Sequence, residues 1–101
     1  MLNNSKTYIC VEAEIHCRWN EEPPVYRAYV NDELFTERTF IWTDCYLIET
    51  LQLAVAPGKY QIRVEKIGNN SADFEVRQLK VAQGPAKFKS GGLLKVGHEN
   101  T

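Results

Sequence analysis

From residue 8 to residue 19 the chain alternates without a break. Ile9, Val11, Ala13, Ile15, Cys17 and Trp19 hold one parity; Tyr8, Cys10, Glu12, Glu14, His16 and Arg18 hold the other. Successive side chains of a strand point to opposite faces, whereas an amphipathic helix needs apolar residues every three or four positions. The segment is therefore a half-buried strand with one solvated side, and such strands belong to antiparallel sheets.

The same period returns along the chain. VYRAYV (25–30) forms a second strand, and Asn31-Asp32 tolerate the positive φ of a tight hairpin turn. A third strand runs from Glu33 to about Trp42 without steady alternation, which predicts a bulge or twist at one end. Glu33, Glu37 and Thr39 share a parity with Phe35 and Ile41, so that face is an interaction face whose charges also discourage unwanted edge pairing. Read as a strand, YLIETLQLAVA (46–56) places Leu47, Leu51, Leu53 and Val55 inside, although Leu47 and Leu51 would also suit a helical turn; KYQIRVEKI (59–67) places Tyr60, Ile62 and Val64 inside. In DFEVRQLKVAQ (73–83), Phe74 and Val76 are even but Leu79 and Val81 are odd. The phase slips near Arg77-Gln78, and a β-bulge would absorb it.

These segments predict an all-β fold: a single small antiparallel β-sandwich, jelly-roll-like, of six to seven strands over residues 1–83. Residues 84–101 change character, with glycines, lysines and few large apolar residues, and are expected to be a flexible, extended C-terminal arm. Lys87, Phe88, Leu93, Leu94 and Val96 are the residues with which that arm would dock on a partner.

A chain of 101 residues suits one domain, and 44% hydrophobic content suits a packed core. The net charge of -1 recruits neither nucleic acid nor an anionic membrane. No apolar run reaches the roughly 20 residues that span a bilayer, and MLNNSKTYICVEAEI lacks the pattern of a secretory signal. Cys10, Cys17 and Cys45 are an odd set. Cys10 and Cys17 would lie about 23 Å apart on opposite faces of one strand. Free thiols in a reducing compartment are expected.

No catalytic constellation emerges. His16 and His98 lie far apart and lack zinc spacing. Cys17 and His16 point to opposite faces of their strand. The acidic pairs Glu12/Glu14, Glu21/Glu22 and Asp32/Glu33 suit a solvated surface, and SGGLLK lacks phosphate-loop spacing. Asp32, Asp44 and Asp73 fall at turns and are calcium candidates, although aspartate is also an ordinary turn residue. Trp19, Trp42 and Tyr46 are candidate sugar-stacking residues if exposed.

The strings VYRAYVNDELFTERTFIW, YLIETLQLAVAPGKYQIRVEKI and FEVRQLKVAQGPA resemble a family of small conserved proteins of tailed phages of marine cyanobacteria, over roughly residues 7 to 88. That resemblance implies a virion structural role. The layout is also similar to carbohydrate-binding modules of the xylan-binding type, which implies sugar binding aided by calcium.

The expectation is thus a non-catalytic, virion-associated structural or assembly protein with no cofactor, assembled in the host cytoplasm. It would bind other protein subunits, as a homo-oligomer or among virion proteins, through a sheet face and the C-terminal arm. The alternatives are a carbohydrate-binding module and a phage modulator of a host protein.

Overall fold

The computed structural model describes residues 6–43, 45–68 and 71–98. Eight strands follow one another: β1 (Thr7–Arg18), β2 (Val25–Val30), β3 (Glu33–Thr39), β4 (Tyr46–Val55), β5 (Gly58–Ile67), β6 (Asp73–Gln83), β7 (Ala86–Lys89) and β8 (Leu93–Val96). A single 3₁₀ turn, Ser90–Gly92, joins the last two. Strands β4-β1-β6 form one sheet and β3-β2-β5-β8-β7 the other. Every pairing is antiparallel, and no α-helix occurs among the described residues. The fold is an all-β sandwich, an elongated body of 54 × 20 × 20 Å.

The alternation in β1 does what its period demands. Ile9, Val11, Ala13, Ile15 and Cys17 are all buried, and every even position from Tyr8 to Arg18 is more exposed. The interior divides along its length. One cluster gathers Ile9, Val11, Ala28, Leu51, Leu53, Ile62, Leu94 and Val96; the other gathers Ala13, Ile15, Cys17, Tyr26 and Phe40. Phe40 follows β3 and is wholly buried, its N–H donating to the Pro24 carbonyl at 2.8 Å. That bond ties the β3–β4 crossover to the segment leading into β2.

The turns and bulges have local causes. Asn31 and Asp32 both adopt positive φ, 51° and 68°, as a two-residue hairpin turn requires. In β6, Gln78 faces Glu14 while Val76 faces Ile15, so Arg77 is the unpaired extra residue, where the phase slip predicts it. In β3, Thr36 faces Ala28 while Leu34 faces Tyr29, leaving Phe35 as the bulge. This bulge corrects the expected face of β3. Glu37 and Thr39 stand opposite Arg27 and Val25 on the outer surface, but Glu33 stands opposite Val30 on the other side.

The largest correction concerns residues 84–101. The described part of this segment is not an arm, and the sandwich does not end at residue 83. β7 and β8 form a hairpin, and β8 adds to the first four residues of β5, Gly58 to Gln61. Leu94 and Val96 are 0% and 3% exposed inside the first cluster, and Phe88 packs against it. Burying one such aliphatic side chain stabilises the fold by about 1.5–3 kcal/mol, which fixes the hairpin in place. The glycines that resemble a linker serve close approaches. A Cβ on Gly92, at φ +78°, would lie 2.6 Å from the Ile62 carbonyl; one on Gly84, at φ +109°, would lie 2.8 Å from the Tyr8 carbonyl.

Candidate interaction surface

Four strands border the sheets: β3 and β7 in the larger, β4 and β6 in the smaller. Edge strands expose unpaired N–H and C=O groups and invite further strands unless bulges, charges or shortness deter them. Three of these edges carry such deterrents. β3 has the Phe35 bulge and the Arg27–Glu37 ion pair at 2.7 Å on its outer side. β6 has two register breaks and exposes Glu75, Arg77 and Lys80. β7 is four residues long and carries Lys87 and Lys89.

β4 differs from all three. It pairs with β1 through ten consecutive residues with no break in register. Its outward row reads Tyr46, Ile48, Thr50, Gln52 and Ala54, without a charge. Tyr46 is 57% and Ile48 41% exposed, and Tyr8, opposite Ala54 on the neighbouring strand, is 73% exposed. The result is an unbroken, partly apolar edge beside an apolar-flecked outer face.

The inward row of β4 holds the one charge on that strand. Glu49 shares parity with Leu47, Leu51 and Leu53 and is 4% exposed. The Arg38 Nε donates to its Oε1 at 2.8 Å and a terminal nitrogen to its Oε2 at 3.2 Å, while the buried Tyr26 hydroxyl donates to Oε1. Burial, followed by the bond to Glu49, pushes the Tyr26 phenol far above its ordinary range. Hydrogen bonding to Glu49 likewise strengthens the charged form of Arg38. This trio spans the two sheets at their open side and satisfies its own polar atoms, so it acts as a brace.

At one end of the outer face, the groove around His16 is lined by Arg18, Cys45, Tyr46, Glu75 and Arg77 and encloses about 830 Å³. His16 bonds Glu14 at 2.6 Å and stacks on Tyr46, its cross-strand neighbour, with ring centroids 5.1 Å apart. The three candidate sugar-stacking residues are not assembled into one platform. Trp19 packs against the second cluster and donates through Nε1 to the Trp42 carbonyl at 2.8 Å. Trp42 sets its edge against Phe40, 5.7 Å away, and neither tryptophan lines the groove that Tyr46 lines.

The calcium candidates are also separated. Asp32 lies in the β2–β3 turn beside Gln61, facing Arg63 at 3.5 Å, whereas Asp73 stands opposite Arg18 in the β1–β6 ladder, at the other end of the sheets. Six residues of β5 separate the two levels, about 20 Å at the rise of a strand, so these two carboxylates cannot share an ion. Asp44 lies outside the described residues, among which no group of three or more metal-ligating side chains forms.

The expected docking residues of the C-terminal segment are redistributed. Leu94 and Val96 belong to the chain's own core, and Phe88 and Leu93 are half-buried. Only Lys87 remains fully available, and it joins a row: Lys59, Lys95 and Lys87 stand directly opposite one another across β5, β8 and β7. None of the three ion-pairs with a carboxylate among the described residues, unlike Arg27, Arg38, Arg63, Arg77 and Lys80.

Cys10, Cys17 and Cys45 are free thiols, and burial raises the pKa of Cys17. The chain matches no protein-family model, no curated protein and no solved structure.

Proposed function

We propose that this chain is a non-catalytic structural or assembly protein of a tailed-phage particle, joined to neighbouring subunits through the outer face and free edge of its three-stranded sheet. One observation carries the reading: β4 offers a ten-residue edge with no break in register and no outward charge, where every other edge is guarded. The phage setting comes from the strings VYRAYVNDELFTERTFIW and FEVRQLKVAQGPA and their resemblance to small cyanophage proteins. The ionisable groups support a passive role. Glu49 is held in the brace with Arg38 and Tyr26, and His16 is held between Glu14 and Tyr46. Assembly would take place in the host cytoplasm.

Mass spectrometry of purified particles of the phage that carries the gene tests this. Peptides of the chain should appear at a fixed ratio to the major subunits. Their absence from particles, with the chain recovered on a host protein instead, overturns the proposal in favour of a host modulator.

A second reading, a carbohydrate-binding module, is favoured by Tyr46, an exposed ring in a groove beside Arg18, Glu75 and Arg77. Aromatic faces flanked by planar polar groups suit sugars. Retardation on a polysaccharide gel that Tyr46→Ala abolishes would support it; free migration on every polysaccharide removes it.

A further inference from the structure

We infer that two copies of this chain pair through β4, strand to strand and antiparallel, about a two-fold axis that passes at Thr50. The inference rests on the assembly reading above and names its first partner: a second copy. In the single chain, the outer side of β4 presents backbone N–H and C=O groups with no strand beside them. An antiparallel partner satisfies the whole of such a row when its own edge is equally long, unbroken and free of like charge opposite. Among the edges of this molecule, β4 alone meets that condition.

The sequence of β4 is complementary to itself about Thr50. A two-fold axis perpendicular to the sheet keeps each side chain on its own face, so outward residues meet outward residues. Thr50 then faces Thr50, Ile48 faces Gln52, and Tyr46 faces Ala54. The large exposed ring of Tyr46 lies over the smallest side chain of the row, and Ile48 covers the stem of Gln52. On the inner face Leu47 meets Leu53 and Glu49 meets Leu51, so no two like charges oppose each other. Glu49 does not resist this pairing as an unpaired inward charge would, because Arg38 and Tyr26 of its own chain already hold it. The product is one continuous sheet with three strands from each copy, and it covers the least guarded edge of both.

The test is the mass of the full chain in solution by light scattering behind size exclusion. The wild-type chain should run at twice its 11.6 kDa mass. Thr50→Lys and Thr50→Glu, both on an exposed outward position, should each run as monomers with unchanged circular dichroism. Mixed in equal amounts, the two variants should restore the dimer, since opposite charges then meet at the axis. Gln78→Lys, on the outer face at β6, should remain dimeric. A monomeric wild type, a dimeric Thr50→Lys, or a mixture that stays monomeric overturns the inference. Particle mass spectrometry is independent of this outcome: a monomer in solution that is still found in particles removes the β4 pairing and leaves the assembly role standing.

Discussion

Arg38 and Glu49 meet at the open side of the sandwich, each pointing inward from an edge strand of a different sheet, at 2.8 Å. Because Glu49 is buried and Arg38 half-exposed, the two partners are not equivalent. Removing the arginine strands a carboxylate in the interior, whereas replacing the whole group by apolar side chains removes the need for it.

Arg38→Ala should therefore lower the unfolding free energy in urea by about 3 kcal/mol, the low end for a broken buried pair. The combination Tyr26→Phe, Arg38→Met and Glu49→Leu should recover most of that loss. Recovery marks the trio as structural; a stable combination that no longer assembles would give the brace a role in binding as well.

Tyr26 should contribute to the alkaline limit of stability. Its phenol pKa is raised on folding by burial and by the bond to Glu49. A group raised in this way favours the folded state while the pH stays below the ordinary phenol value of 10.0, and that favour is lost as the pH climbs through the folded value. Unfolding free energy should fall above pH 10, and Tyr26→Phe should flatten the fall. Titration of phenolate absorbance should show one of the five tyrosines ionising only with unfolding.

The lysine row makes the opposite kind of prediction. Like charges directly opposite on neighbouring strands repel, and Lys95 has one on each side. Lys95→Glu should raise stability by roughly 0.5–1 kcal/mol at low salt. The gain should shrink as added salt screens the pairs, which thermal melts at two ionic strengths would read.

Shortening the chain after Gln83 should unfold it rather than free it of an appendage. Leu94→Ala alone should cost about 2–5 kcal/mol, and Gly92→Ala should also destabilise, having both a positive φ and a carbonyl in the way. Urea titration of the two variants checks this; a truncated chain that melts like the whole one would contradict the packing of β8.

Much of this architecture is legible in the residues, and the exceptions share a cause. β1, β2 and β4 to β6 follow period two, and the slip between Val76 and Leu79 announces the Arg77 bulge, because parity is local information. Glu49 was equally available, since it occupies an inside position between Leu47 and Leu51. A charge there signals a buried partner, but nothing local says that Arg38 and Tyr26 supply it. β7 and β8 are short, and AKFK and LLKV alternate only over four residues each. Their pairing depends on Gly58–Gln61, more than thirty residues earlier, and that is a property of the assembled sheet. The Phe35 bulge had a similar effect, moving Glu33 to the side opposite Glu37.

The pairing of β8 with the first residues of β5 has a consequence for how the molecule folds. Leu94 and Val96 close the cluster around Ile9, Leu53 and Ile62, yet more than thirty residues of chain separate them from all three. Until β8 docks, that end of the interior stands uncovered, and the partly folded chain carries sticky surface that the finished protein hides. Closure of that end therefore waits on a contact between distant parts of the chain rather than on the stacking of each strand against the one before it.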